Sequence, residues 1–157
     1  MNPLMSSAIA EALHVLSAVA WVGGMLFVML ALRPGLKDLE PPVRLPFFSG
    51  VLQRFFVIVW LAVVLILLSG YWLLFKLFGG FSQAPAHVHL MHAGALLMSV
   101  IFFWLFFRLF LPLRKAVRNS DWQAAAPLVD RLRRVVTVNL ILGVAVVVVA
   151  STGRYIA

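Results

Sequence analysis

Four long apolar segments constrain this chain more than any other feature of its sequence. They cover about residues 8–32, 55–78, 88–111 and 135–152, and a helix that spans a bilayer needs about 20 apolar residues. Lipid offers no water to backbone N–H and C=O groups, so a spanning segment must be a helix or belong to a closed barrel. These segments are too long and too continuously apolar for barrel strands. The sequence therefore predicts an all-α integral membrane four-helix bundle, with residues 1–157 as a single transmembrane domain.

The composition excludes most functions of soluble proteins. Of the 157 residues, 64% are hydrophobic and 11% are charged, whereas a soluble domain has about 25% charged residues. The chain has no cysteine, which excludes disulfides, thiolate metal sites and covalent attachment of c-type haem. No nucleotide-binding, serine-hydrolase or HExxH motif occurs, and this argues against a hydrolase or a nucleotide-driven pump.

The basic residues indicate how the helices are oriented. Eleven of the 13 Lys and Arg residues lie in the first and third connections and the adjoining helix ends, and only Lys76 and Arg154 lie at the opposite end. Because cytoplasmic loops carry an excess of Lys and Arg, both termini and the second connection are predicted to face outward. The predicted location is a multi-pass position in a bacterial inner (plasma) membrane with periplasmic termini. The net charge of +8 is then explained by the Lys and Arg residues of the cytoplasmic connections. It does not indicate nucleic-acid binding, and no nucleic-acid partner is expected.

Two connections carry local signals of their own. The first contains Pro34, Pro41 and Pro42, and these prolines are expected to break any helix there. The third contains Asn119-Ser120-Asp121, residue types that cap helices. We expect that sequence to begin a short amphipathic helix at the membrane surface.

All four histidines fall near the predicted outer face. His14 lies about 9 Å along the first helix and His92 about 6 Å along the third, at about 1.5 Å per residue. These two helices run in the same direction and can face each other across a bundle, so one ligand could join both imidazoles. His89 precedes His92 by three residues and shares its helix face. His87 is expected at the helix mouth, in water and dispensable.

Other polar residues of the apolar segments have plainer interpretations. Glu11, His14, Ser17 and Trp21 recur at helical spacing and predict a stripe that faces the bundle interior. Asn139 is expected to form an interhelical hydrogen bond, and the methionines are expected to pack. Arg154 is either an anchor at the headgroups or the partner of an anion, such as a haem propionate or a quinone oxygen.

Three interpretations of the histidines remain open. In the first, His14, His89 and His92 bind a copper ion, because imidazole is a suitable copper ligand. In the second, His14 and His92 are axial ligands of a b-type haem in an electron-transfer protein, with Arg154 near a propionate. An enzymatic role would then be that of a haem-dependent membrane oxidoreductase. In the third, the histidines only hold helices together.

Short motifs along nearly the whole chain resemble one known family. The first helix contains His14, then Trp21-Val22-Gly23-Gly24, and this looks like the signature that opens the CopD-type (copper resistance protein D) membrane domain. Further matches are Arg33-Pro34, Arg54-Phe55-Phe56, Ser69-Gly70, Asn139-Leu140 and Gly143. The resemblance is to compact, stand-alone four-helix members. It implies an inner-membrane protein of copper resistance or uptake, beside a periplasmic copper carrier. A quinone partner and a homo-oligomer are not decided by the sequence.

Overall fold

Four long helices make up the computed structural model, which describes residues 3–155 apart from the side chains of Pro3 and Arg154. All four are long and apolar enough to cross a membrane. The all-α, four-helix membrane architecture predicted from the sequence is therefore confirmed, and within residues 3–155 there is no strand. The helices are α1 (Leu4–Gly35), α2 (Pro41–Phe78), α3 (Ala86–Arg118) and α4 (Trp122–Thr152).

The helices extend well beyond the apolar segments at one end of the bundle. This end carries the connections 36–40 and 119–121 together with most of the basic residues, and we call it the basic end; the other is the histidine end. The predicted break of the helix in the first connection is confirmed, because residues 36–40 are not helical. The prolines, however, lie in the helix ends that flank the break rather than in the break itself. Pro41 and Pro42 occupy the first turn of α2, where a missing N–H leaves no helical hydrogen bond unmade.

The third connection is a tight turn rather than a link with its own helix. Asp121 precedes α4, and its side chain accepts a hydrogen bond from the Ala124 backbone N–H at 3.0 Å. The predicted cap is therefore present, but the predicted short surface helix is not. The amphipathic residues that follow Asp121 form the first turns of α4 itself. Ala125 and Leu132 in these turns are buried on the same helix face as Val136 in the apolar segment, so the helix continues without a break.

The helices α1 and α3 each contain a π-helical turn just before a proline. In α1 the turn covers Val28–Leu32 and Pro34 follows, while in α3 it covers Phe106–Phe110 and Pro112 follows. Proline cannot donate a backbone hydrogen bond, and its ring crowds the carbonyl one turn before it. A widened turn accommodates that ring without ending the helix, so both helices continue to the basic end.

The bundle is ordered so that α1 and α3 lie on a diagonal. The pair α1 and α2 and the pair α3 and α4 pack along most of their lengths. Aromatic side chains fill the centre between the pairs. Trp21 of α1 meets Phe102 of α3 with ring centroids 6.1 Å apart. Phe56 and Trp60 of α2 meet the same Phe102 ring edge-on at 5.6 and 5.5 Å.

Two glycines permit close approach between neighbouring helices. The Phe55 ring of α2 occupies the space that a side chain at Gly24 of α1 would need, and Val146 of α4 does the same at Gly94 of α3. Gly23 and Gly24 are adjacent in the motif of α1, but only Gly24 makes such a contact, because nothing lies within 4 Å of a Cβ built at Gly23. These contacts set how far each helix is rotated, and hence which side chains meet at the histidine end.

Candidate ligand site at the histidine end

His14 is held on α1 by a hydrogen bond to α2. Its Nδ1 lies 3.0 Å from Ser69 Oγ. The Ser69 hydroxyl also contacts the carbonyl oxygens of Leu65 and Ile66, and these can only accept, so its single hydrogen is directed to them. Ser69 Oγ therefore accepts from His14, and Nδ1 carries the ring hydrogen. The lone pair of Nε2 is left free, and a neutral imidazole nitrogen in this state can bind a metal ion.

Gly70 provides the space that the His14 ring occupies. A Cβ at this position would lie 3.1 Å from His14 Cε1 and 3.5 Å from Nδ1, which is too close for the ring to stay where it is. Ser69 thus supplies the acceptor and Gly70 supplies the room. The sequence marked Ser69-Gly70 only as a short match to a family pattern. It could not reveal the link to His14, because the partners are 55 residues apart.

His92 also contacts α2, through Tyr71. Its Nε2 lies 3.3 Å from Tyr71 Oη, and the two rings meet edge-on with centroids 5.0 Å apart. Phe81, in the short turn after α2, packs against His92 with centroids 5.1 Å apart and stacks on His89 at 6.0 Å. His92 is half-buried and His89 is exposed. The two histidines of α3 therefore share one aromatic neighbour near the surface.

His14 and His92 lie at one level of the bundle. Their partners Ser69 and Tyr71 are about 3 Å apart along α2, at about 1.5 Å per residue. This matches the common depth that the sequence predicted. The same two positions are about 200° apart around the helix axis, at about 3.6 residues per turn. His14 and His92 therefore approach α2 from different sides, and this arrangement gives no support to a haem held between them.

The three histidines predicted as metal ligands are not gathered into one group. Among the residues that the structure describes, no three His, Asp or Glu side chains are close enough together to hold a metal ion. His14 is bonded to α2, while His89 and His92 pack on Phe81. A copper ion bound by all three imidazoles would need the first turns of α3 to move toward α1.

His87 is placed differently from the solvated loop position that the sequence suggested. It lies in the first turn of α3, because that helix begins at Ala86. Its half-buried ring packs directly against Gly153 at the end of α4. Its Nδ1 is buried and has no hydrogen-bond partner within the described part of the chain. The sequence missed this position, and the only signal was a glycine at the end of the facing helix.

Of the remaining predicted residues, some lie where the sequence placed them and others do not. Ser17 and Trp21 are buried at 5% and 2% exposure, so the interior stripe of α1 is confirmed there, but Glu11 is exposed. Asn139 is buried, yet its Oδ1 has no hydrogen-bond partner among the described residues. The expected interhelical hydrogen bond through that oxygen is therefore absent. The side chain of Arg154 lies outside the described residues, and its predicted role is untested.

Comparison with known proteins finds one matching family model and one similar protein. A family model described as CopD, copper resistance protein D, matches residues 49–152, from the third turn of α2 to the end of α4. Ser69, Gly70 and Asn139 lie inside this range, whereas His14 precedes it. An uncharacterized protein of Aquifex aeolicus (strain VF5) is 51% identical over 43 residues, which are 27% of this chain and 29% of that protein. The alignment thus spans less than a third of the relative. No solved structure matches this chain.

Proposed function

Because this chain belongs to the CopD family (copper resistance protein D), we propose that it binds copper as cargo through the histidines at one end of its bundle. The family and the four apolar helices make it a multi-pass membrane protein related to copper resistance. The metal is proposed to bind among the histidines at the histidine end. This end is proposed to face the periplasm from a bacterial inner membrane, and the uneven distribution of Lys and Arg supports that orientation.

The hydrogen bond between His14 and Ser69 is the observation that carries the proposal. Histidines that bind metals usually donate their other ring N–H to a hydrogen-bond acceptor, which fixes the tautomer and the ring orientation. Ser69 provides that acceptor, and Gly70 provides the room. A half-buried imidazole with a free Nε2 lone pair suits a copper ion. His14 is thus oriented as a metal ligand before any metal arrives.

His89 and His92 would serve as the accessible part of the site. They are three residues apart on one face of α3, so two imidazoles are offered together near the surface. A copper ion delivered by a periplasmic carrier would meet this pair first. It would then pass to His14, which lies at the same level of the bundle and is hydrogen-bonded to α2. Arg154, at the same end of α4, is proposed to pair with an anion bound there, such as a quinone oxygen.

Copper analysis of single-histidine variants tests this proposal. The purified full chain is loaded with copper, washed and measured by elemental analysis for wild type, His14→Ala, His89→Ala and His92→Ala. We expect His14→Ala to lose the bound metal and the two α3 variants to retain less than wild type. His87→Ala is the matched control and should retain full copper.

Two outcomes would contradict the proposal. If His14→Ala and His92→Ala keep full copper content and full copper tolerance in cells, the histidines are only helix contacts. If the purified protein shows a sharp Soret band, and α and β bands appear when it is reduced, the histidines hold a haem instead. Elution of each variant as a folded particle in size-exclusion chromatography excludes unfolding as the cause of metal loss.

A further inference from the structure

A cavity of about 550 Å³ lies at the basic end, far from the histidines. Its walls come from the end of α1, the first turns of α2 and the first turns of α4. It shares no residue with the site at the histidine end. The start of α4 is brought to the two helix ends that flank the connection 36–40 only by the packing of the bundle.

Cations dominate the walls of this cavity. Arg33, Lys37 and Arg44 line it, and Asp130 is the single carboxylate among the lining residues. Arg33 is repelled by Arg44 and by Arg133 and attracted by Asp130. Three cations against one carboxylate leave the cavity with an excess of positive charge. A bound anion would relieve this repulsion.

The guanidinium groups are positioned to receive such an anion. Arg44 Nη1 donates to the Lys37 carbonyl oxygen at 3.3 Å, which orients its head group at the mouth of the connection. Arg133 lies three residues after Asp130 and hence on the same face of α4. It is not among the lining residues, but it is close enough to Arg33 to repel it. The Nε of Arg133 is buried and has no hydrogen-bond partner among the residues described. A donor left in this state favours an acceptor that the protein itself does not supply.

Apart from Gln123, the rest of the cavity wall is apolar, and its residues are of the kinds expected at a membrane surface. Leu45 and Phe48 form part of its wall, and both are buried. Trp122 lines the opposite side, and tryptophan is enriched where a membrane meets water. Arg33 directly follows the last apolar residues of α1. A ligand that matches these walls has an anionic head and an apolar body.

We propose that this cavity binds the phosphate of an anionic phospholipid from the leaflet at the basic end. Arginine binds phosphate through two parallel N–H groups, and basic pockets between membrane helices bind anionic lipid headgroups. Arg33 and Arg44 hold the phosphate, Lys37 adds a third positive charge, and the glycerol region lies along Phe48. The site is separate from the proposed copper site, so either can fail without the other.

Lipid retention by the purified full chain tests the assignment. The protein in detergent is mixed with phosphatidylglycerol or with phosphatidylcholine, and bound lipid is counted by native mass spectrometry. We expect wild type to retain phosphatidylglycerol preferentially. Arg33→Gln and Arg44→Gln should each weaken that retention about fivefold, which corresponds to about 1 kcal/mol per basic residue at an anionic membrane surface. Arg44→Lys should recover part of the loss.

Arg131→Gln is the matched control. Arg131 follows Asp130 directly but is exposed and does not line the cavity, so this variant removes one positive charge from the basic end without changing the cavity walls. Equal retention of both lipids by wild type would overturn the proposal, as would an equal loss in Arg131→Gln. Inorganic phosphate at the same concentration is the third arm. If it displaces phosphatidylglycerol completely, the cavity is a site for free phosphate and the lipid assignment is wrong.

Discussion

The ring of His14 donates a hydrogen bond to Ser69, which lies 55 residues later in the chain, with Nδ1 and Oγ 3.0 Å apart. This contact joins the first two helices at the histidine end and leaves Nε2 of the ring free. Ser69 lies within the part of the chain that matches the family model, whereas His14 lies before it. The contact therefore joins the part of the chain that the family model matches to the motif on α1.

Removing the acceptor should disturb His14 specifically. Ser69→Ala leaves a half-buried Nδ1–H without its partner, which costs about 1–3 kcal/mol in unfolding free energy, and it frees the ring to change tautomer. We expect lower copper affinity together with a lower thermal midpoint in detergent. Ser99→Ala is the control, because Ser99 is also buried but bonds only to the Ala95 carbonyl of its own helix. Equal copper affinity in the two variants would show that the hydrogen bond has no part in metal binding.

Adding one methyl group beside His14 should separate positioning from stability. In Gly70→Ala the new Cβ would lie 3.1 Å from His14 Cε1, so the ring must move by a few tenths of an ångström. We expect weaker copper binding, measured by competition with a chelator, and only a small change in thermal stability. Gly50→Ala on the same helix is the control, since its nearest neighbour would be Arg54 Nη1 at 3.8 Å. Unchanged copper affinity in Gly70→Ala would contradict the role given to this glycine.

The two adjacent glycines of α1 should behave oppositely. Gly24→Ala places a Cβ in the space of the Phe55 ring, and overpacking of this kind costs about 1–3 kcal/mol. Gly23→Ala meets nothing within 4 Å, and alanine favours a helix by about 1 kcal/mol over glycine. Thermal unfolding in detergent should therefore show a lower midpoint for Gly24→Ala and an equal or higher one for Gly23→Ala. Similar midpoints would mean that α1 and α2 are not packed as described.

Single cysteines can determine which end of the bundle faces outward. The chain has no native cysteine, so a cysteine at Ser82 or at Ser120 is the only thiol in each variant. Both positions are exposed, one at each end. If the positive-inside rule holds, an impermeant maleimide should label Ser82→Cys in intact spheroplasts, and it should label Ser120→Cys only after lysis. The reverse pattern would place the histidine end in the cytoplasm and remove the periplasmic carrier from the proposal.

Local patterns predicted the helices well but misjudged their ends. Pro41 and Pro42 looked like helix breakers and are the first turn of α2, because proline is unfavourable only where a helical N–H is needed. Asp121 was recognised as a cap, yet the helix it begins is the membrane helix itself. The π-helical turns before Pro34 and Pro112 had no sequence signal beyond the prolines.

The sequence by itself determined that the described chain is four membrane helices, because lipid leaves an apolar segment no other way to satisfy its backbone. It also placed His14 and His92 at one depth, because a helix rises by a fixed distance per residue and depth then follows from counting residues. The tertiary structure decided which side of α2 each imidazole meets, and that His87 packs on Gly153. Such contacts depend on how far each helix is rotated and shifted against its neighbours. Close packing at positions such as Gly24 and Phe55 sets that rotation, and it involves residues far apart in the sequence.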